Sequence, residues 1–143
     1  MKIQKVREVK TPNRGTPESA GIDFYVPEDF KEKIIGIGDS VLVPSGIKAS
    51  IPSGYMWLAL NKSGVAVKLG LQVGAQVVDE DYEGEIHLHV TKITYGTVKI
   101  EPGMKLIQLV LVPVSYENIE LVDELQSRNT QRGSGGFGST GTH

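Results

Sequence analysis

The densest group of ionisable residues in the sequence is an acidic segment, Asp79–Glu85, with five carboxylates within seven residues. Like charges this close together are costly to hold. The segment begins like an EF-hand calcium loop, but the twelfth position is Val90, where that loop requires a bidentate Glu, and the flanking residues resemble strands rather than helices. We therefore reject a calcium loop. A solvated acidic hairpin turn remains as the simplest interpretation of the segment taken alone.

A second group of polar side chains follows directly in the next apolar run. Glu85, His87 and His89 alternate along the chain, so they point to one face of a strand. Two imidazoles and a carboxylate on one face could hold zinc. The alternative is an exposed polar face opposite the buried residues between them, and we favour that alternative.

Two glycine-containing segments are suited to phosphate. Asn61–Gly64 offers a Lys, a hydroxyl and free backbone N–H groups before a possible helical turn, although it lacks the spacing of a Walker A loop. Residues 132–141 are rich in glycine, which lets the backbone approach a polyphosphate closely. In that segment Arg132 can grip phosphate through two hydrogen bonds, Ser139 can donate a hydroxyl, and Phe137 can stack on a base. A flexible linker is the alternative, but a linker has no reason to carry one Arg and one Phe.

The elements that must position these residues are short strands. Apolar runs rich in Val, Ile and Leu and bounded by turn residues predict strands within residues 40–51, 54–60, 85–93 and 105–114. Only residues 64–71 suggest a helical turn or two. Repeated short strands predict an all-β jelly roll or barrel. The apolar side chains thin out after Val122, so we expect a β domain over residues 1–122 and a flexible arm over residues 123–143.

The composition excludes several classes of function. A chain of 143 residues is about one domain, and 39% hydrophobic with 22% charged residues argues against wholesale disorder. A net charge of −2 argues against stable nucleic-acid binding as the main role. The sequence has no Cys, so disulfides and thiolate sites are excluded and a reducing cytoplasm is compatible. We expect no signal peptide and no membrane span, because no apolar run approaches about 18 residues.

Five blocks of the sequence resemble, in order, the motifs of the homotrimeric deoxyuridine triphosphatases, the dUTPase family. The blocks are AGIDF at 20–24, KSG at 62–64, GAQVVDEDYEGE at 74–85, GMKLIQLV at 103–110 and RGSGGFGSTG at 132–141. They extend over nearly the whole chain, and the third and fifth are highly specific. The resemblance implies a distorted β jelly roll, which is consistent with the strand pattern.

The resemblance implies hydrolysis of dUTP to dUMP and pyrophosphate with a divalent metal, usually Mg²⁺. This reaction keeps uracil out of DNA and supplies dUMP for thymidylate synthesis. Asp79 matches the general base that activates the water attacking the α-phosphorus. Asp23 matches a carboxylate that supports the metal indirectly, through water, since the triphosphate and water are expected to supply most of its ligands.

The resemblance also implies how the rest of the nucleotide is held. Tyr82 matches the residue packed under the deoxyribose, where a 2′-hydroxyl would clash, and main chain around Val77, Val78 and His87 is expected to read the uracil edge. Further implied contacts to the phosphates or across the base are Lys62, Ser63, Gly64, Gln108, Arg132, Phe137, Gly138 and Ser139. In this family three subunits contribute to each site, and the arm crosses between them.

The sequence departs from the family pattern at three positions. Lys62 stands where Arg is usual, which keeps the charge but loses the planar fork, and Asn61 stands where Pro is common. Gln76 stands where Gly is usual, and its side chain either hydrogen-bonds to the base or points outward. A relative acting on dCTP or on a 5-modified dUTP therefore stays open. A binding protein without turnover would be expected to have lost Asp79, Tyr82 or the arm.

Overall fold

The computed structural model describes residues 1–141 as a nearly all-β chain with one short helix. The elements are β1 (Lys2–Lys5), β2 (Ile22–Tyr25), β3 (Lys33–Gly36), β4 (Ser40–Pro44), β5 (Ile47–Ser50), β6 (Tyr55–Leu60), α1 (Ser63–Leu69), β7 (Leu71–Val73), β8 (Val77–Val78), β9 (His87–Lys92), β10 (Thr97–Ile100) and β11 (Lys105–Pro113). The run at 40–51 divides into two strands at Gly46, whose φ of 74° turns the chain. No helix in the described part of the chain is long and apolar enough to cross a bilayer.

The strands form four antiparallel sheets. Their orders are β2-β11-β6-β8, β4-β9-β7, β1-β5 and β3-β10. The arrangement fits the expected jelly roll, although the hydrogen-bonded ladders of residues 1–141 do not join into one closed barrel. β6 lies inside the largest sheet, paired with β11 along one edge and with β8 along the other.

The core lies between these sheets and follows the alternation of the strands. In β9 the side chains of Leu88 and Val90 are buried, while His87 and His89 lie on the outer face. Phe24 and Trp57 meet edge to face with ring centroids 5.8 Å apart, which joins β2 and β6. Burying each large apolar side chain contributes about 1.5–3 kcal/mol, so the apolar face fixes which residues point outward.

The acidic segment is tied to the domain through its last carboxylate. Glu85 Oε1 accepts hydrogen bonds from Arg7 Nε and from Gly46 N, both at 2.8 Å. Arg7 also donates to Asp29 Oδ2 at 2.8 Å. Burial by itself would raise the pKa of Glu85, but the hydrogen bonds from Arg7 and Gly46 outweigh it and lower that pKa. Glu85 is therefore a structural anchor.

Glu85→Gln should lower the free energy of unfolding at pH 7 by about 1–3 kcal/mol, because it removes the charge from a partly buried hydrogen-bonded pair. A carboxylate whose folded-state pKa is lowered stabilises the fold above its ordinary pKa of 4.5. That contribution is lost as the pH falls through the folded-state value. Urea unfolding at pH 7 and at about pH 3 should therefore show the deficit of the variant shrinking in acid. An equal deficit at both pH values would contradict this role.

Candidate functional site

A small cavity opens beside β8, where the acidic segment leaves the sheet. Its volume is about 180 Å³, and it is lined by Ala59, Ala75, Val77, Val78, Asp79, Tyr82, Ile86 and His87. Pockets for drug-sized ligands usually measure about 300–1,000 Å³, so this cavity suits a group the size of a single planar ring. It brings together Asp79, Tyr82, Val77, Val78 and His87, the residues for which the resemblance implies contacts to the base, the sugar and the attacking water.

The main chain at the cavity is held by strand pairing. Val77 and Val78 lie opposite Leu58 and Trp57 of β6. One residue earlier, Gln76 O accepts a hydrogen bond from Ala59 N at 2.7 Å. The Gln76 side chain is exposed and does not line the cavity, so the structure favours the outward of its two predicted orientations.

Tyr82 is held in place by a tight turn and by a glycine. Its N–H donates to Asp79 O at 3.2 Å, and its hydroxyl donates to Glu85 O at 2.8 Å. His87 Nδ1 donates to the same carbonyl at 2.8 Å. A Cβ on Gly84 would lie 2.4 Å from the Tyr82 ring, so the ring packs where only glycine leaves room.

The carboxylates of the acidic segment have different surroundings. Glu80 Oε2 accepts from Gly54 N at 2.9 Å and from Tyr116 Oη at 2.8 Å, and the Gly54 bond is the main reason that the pKa of Glu80 is lowered. Asp79 is exposed and has no side-chain hydrogen bond or ion pair within residues 1–141. Asp79 is therefore the one carboxylate among the cavity-lining residues, and its oxygens are not engaged by any other group of the described residues.

A second polar cluster surrounds Asp23 on β2. Asp23 is 5% exposed, and its carboxylate forms ion pairs with Lys62 and, at 3.2 Å, with Lys105 Nζ. The hydrogen bond to Asp23 is the main reason that the pKa of Lys105 is raised. Lys105 was not among the residues predicted from the sequence. Its position inside the fourth block was the available signal, but only the β2–β11 pairing places it beside Asp23.

Gln108 and Asn61 connect this cluster to the start of α1. Gln108 lies opposite both Asp23 on β2 and Leu60 on β6, and its Nε2 donates to Asn61 O at 2.9 Å. A Cβ on Gly21 would lie 2.1 Å from Gln108 Oε1, so glycine is required there. Ser63 and Gly64 follow in the exposed first turn of α1, where the first backbone N–H groups of a helix have no partner within the helix.

The two clusters lie at different points along β6. The cavity is lined by Ala59 of β6, and Lys62 follows three residues later, a path of roughly 10 Å in extended chain. Neither Lys62 nor Gln108 lines the cavity. Within one chain, the predicted base and sugar contacts come together, and the predicted phosphate contacts Lys62 and Gln108 come together elsewhere with Asp23.

The arm contacts neither cluster in the described residues. Phe137 is fully exposed, and Arg132 Nε donates to Gly135 O at 2.9 Å within the arm itself. Beyond Tyr116, every hydrogen bond of the described chain joins two groups of residues 127–141. Gly138 and Ser139 likewise form hydrogen bonds only with other residues of the arm. The last two residues of the predicted arm, 142–143, lie outside the described residues.

The histidines on β9 bond to main chain. His87 bonds to Glu85 O, His89 Nδ1 accepts from Ala75 N at 3.0 Å, and the Glu85 carboxylate is held by Arg7. Across the described chain, no group of three His, Asp or Glu side chains converges on one point where a metal ion could bind. This geometry favours the exposed polar face over the zinc site.

Comparison with known proteins gives one family. The family model described as dUTPase matches residues 7–141. Deoxyuridine 5'-triphosphate nucleotidohydrolase of Rattus norvegicus is 37% identical over 130 residues, which cover 91% of this chain and 61% of the rat protein. The protein of that name from Hydrogenobaculum sp. is 36% identical over 142 residues, which cover 97% of this chain and 96% of the other. The chain thus spans about three fifths of the first relative and nearly all of the second.

Solved structures share the fold. A mutant dUTPase of Staphylococcus bacteriophage 80alpha with dUpNHpp has a TM-score of 0.87 at 23% identity, covering 98% of this chain and 97% of that chain. A mutant dUTPase from phage phi11 of S. aureus, described with a structural Mg(II) ion, has a TM-score of 0.78 at 24% identity, covering 88% and 98%. At such identities the likeness establishes the fold alone.

Gly84→Ala should displace the Tyr82 ring, because the added methyl would overlap it. We expect a loss of about 1 kcal/mol in the free energy of unfolding, the usual value of one hydrogen bond, here the one from Tyr82 to Glu85. In a Tyr82→Ala background the same substitution should cost almost nothing. Urea unfolding of the two single variants and the double variant measures this coupling. Additive losses would show that Gly84 does not act through Tyr82.

Proposed function

The chain belongs to the dUTPase family, and from this premise we propose that it hydrolyses dUTP to dUMP and pyrophosphate. The observation that carries the proposal is the base-sized cavity in which Asp79 and Tyr82 stand beside the fixed main chain of β8. The reaction would keep uracil out of DNA and supply dUMP. Its substrate belongs to the nucleotide pool, so we expect a cytoplasmic location, which a sequence without Cys allows.

The cavity would bind the nucleoside part of dUTP. Uracil presents alternating hydrogen-bond donors and acceptors, which main-chain groups around Val77 and Val78 can match. The cavity is small, and this would exclude the methyl group of thymine. The Tyr82 ring would pack under the deoxyribose, and a ribose 2′-hydroxyl would then collide with the ring. Because Gly84 and Glu85 already hold that ring, little ordering remains to be done on binding.

Asp79 would act as the general base. A carboxylate without an internal partner can hold a water molecule, orient it and accept its proton as the oxygen attacks the α-phosphorus. The bond from the α-phosphorus to the bridging oxygen then breaks, and pyrophosphate leaves. The hydrogen bond from Tyr82 N to Asp79 O joins the proposed general base to the residue that would pack under the deoxyribose. Binding of the nucleoside would therefore place the α-phosphorus next to Asp79.

The phosphates would bind at the cluster around Asp23. Lys62, Ser63, Gly64 and Gln108 offer positive charge and N–H or O–H donors, and the ion pairs of Lys62 and Lys105 with Asp23 fix where that charge lies. Both oxygens of Asp23 are engaged by these lysines, but each keeps a lone pair that can accept from water. The residues therefore fit a Mg²⁺ ion held mainly by the triphosphate and by water, which Asp23 would contact through a water molecule. Such an ion neutralises charge on the phosphate oxygens.

A homotrimer with shared sites would unite the two clusters. Within a single chain, the cavity and the Lys62 cluster are separate sites. In the segment after β11, the side chains of Ile119 and Leu121 are about as exposed as in an extended chain. Exposed apolar side chains of this kind are typical of a partner contact. The arm would then reach a neighbouring subunit, where Phe137 covers the base and Arg132, Gly138 and Ser139 close over the phosphates.

A substrate panel tests the proposed reaction directly. Pyrophosphate release should be measured on dUTP, UTP, dTTP, dCTP and a 5-substituted dUTP, with Mg²⁺. We expect kcat/KM for dUTP to exceed every other value by about 100-fold or more, since Tyr82 and the narrow cavity act by steric exclusion. A preference for dCTP or for the 5-substituted nucleotide would identify a relative with another substrate. Binding of dUTP without release of pyrophosphate would identify a protein that only binds.

Asp79→Asn should lower kcat on dUTP by about 100-fold or more while folding and nucleotide binding persist, because the amide cannot take the proton. Turnover and dUTP-analogue affinity should be measured on the same preparations. Glu83→Gln is the matched control, since it removes an exposed charge from the same segment and should leave turnover unchanged. Near wild-type turnover in Asp79→Asn would overturn the assignment of the base.

Deletion of residues 130–143 should abolish most turnover without changing the melting temperature of the free protein. Within residues 130–141 the arm buries no core side chain, so its loss removes function but little stability. Its ordering over bound nucleotide would exclude water as a lid does. Phe137→Trp should report closure by a fluorescence change on adding a non-hydrolysable dUTP analogue with Mg²⁺, against the buried Trp57. Full activity after truncation, or a much lower melting temperature, would contradict the lid.

A further inference from the structure

His89 is bonded to the loop that leads into the cavity. The imidazole lies on the outer face of β9, and its Nδ1 accepts a hydrogen bond from Ala75 N at 3.0 Å. A backbone N–H can only donate, so this bond requires Nδ1 to be without a proton. The position of the imidazole therefore depends on its charge state.

The contact between His89 and the loop is close. Gly74 N donates to His89 O at 3.0 Å, and a Cβ on Gly74 would lie 2.1 Å from Nδ1. The imidazole thus covers Gly74 and continues the attachment of β7 beyond Val73, its last residue paired with β9. Within the described chain, His89 is the one side chain that hydrogen-bonds to main chain of residues 74–76.

The same short loop is fixed at its other end by β6. Gln76 O accepts from Ala59 N at 2.7 Å, and Val77 and Val78 then pair with β6. Ala75 itself lines the cavity. The loop therefore crosses from one sheet to the other within three residues, Gly74–Gln76, and His89 fixes the point where it leaves the first sheet.

We propose that His89 is a positioning residue for the nucleotide pocket. In its neutral form it holds the Ala75 amide and so fixes the main chain that receives the base, and on protonation it releases that amide and weakens substrate binding. The kinetic consequence rests on the proposed hydrolysis of dUTP. The bond itself, and its dependence on protonation, do not.

The neighbouring strands offer the protonated imidazole no counter-charge. On β4, the residue opposite His89 is Leu42, flanked on the same face by Ser40 and Pro44. On β7, the nearest outward side chain is Gln72, opposite Thr91. The other titratable groups on this face are His87, which donates to Glu85 O, and Glu85 just before β9, whose carboxylate is already paired with Arg7. Protonation would therefore lose the Ala75 bond with no ion pair to offset it.

Hydrogen exchange of the Ala75 amide in the free protein tests the bond without any substrate. Histidine changes its charge between about pH 5 and 8. We expect the protection factor of Ala75, corrected for intrinsic exchange, to fall about ten-fold from pH 8 to pH 5.5, as for loss of one hydrogen bond. His89→Asn places Oδ1 where Nδ1 stood, so protection should persist at both pH values. His89→Phe keeps the ring without an acceptor and should lose protection at both.

Kinetics test the consequence. His89→Phe should raise KM for dUTP about five-fold while kcat stays within two-fold of the wild type. His89→Asn should keep the wild-type KM and should not show the rise of KM in acid that the proposal expects for the wild type. Thr91→Val, on the same face of β9, is the control and should match the wild type. Unchanged Ala75 protection in His89→Phe, or in wild type across this pH range, overturns the proposal even if dUTP is hydrolysed. If His89→Phe does not fold, wild type and His89→Asn still decide. Absence of hydrolysis with the expected protection pattern refutes the proposed function alone.

Discussion

The pairing of β6 on both of its edges determines where the two clusters of the candidate site lie. Along one edge β11 brings Gln108 opposite Leu60 and, through β2, places Asp23 beside Lys62. Along the other edge β8 holds the main chain that lines the cavity. A shift of one residue in either register would turn these side chains to the opposite face. The buried Trp57 and Ala59 resist that shift, because it would move them out of the core.

Close approach to glycine is the second constraint that the site shares. Gln108 lies against Gly21, His89 against Gly74 and Tyr82 against Gly84, and in each pair a Cβ would overlap the neighbouring side chain. Each of these three side chains also donates or accepts a hydrogen bond with main chain of the site. Glycine thus serves here to admit a polar side chain close to the backbone, and the bond then fixes that side chain. None of these three glycines has a positive φ.

The sequence predicted the parts of the molecule whose signal is local. The alternation of Ile86, Leu88 and Val90 predicted β9, and Asp79 and Tyr82 share the cavity because a single turn joins them. β8 has only two residues, too few for a periodic pattern, and its existence depends on β6. The bonds from Lys105 to Asp23 and from Ala75 to His89 join residues far apart in the chain. Such contacts follow from register, which one sequence without its fold does not specify.

Hydrogen bonds from distant parts of the chain also explain how the fold tolerates five carboxylates within seven residues. Arg7 and Gly46 hold the Glu85 carboxylate, and Gly54 and Tyr116 hold that of Glu80. These hydrogen bonds lower the pKa of both carboxylates and tie both to the fold. Neither Glu80 nor Glu85 lines the cavity, whereas Asp79 does. A triphosphate is itself negatively charged, so unpaired carboxylates around the proposed general base would repel it. For the proposed general base Asp79, the ion pair of Glu85 with Arg7 therefore offsets one of the neighbouring negative charges that would otherwise repel an anionic substrate.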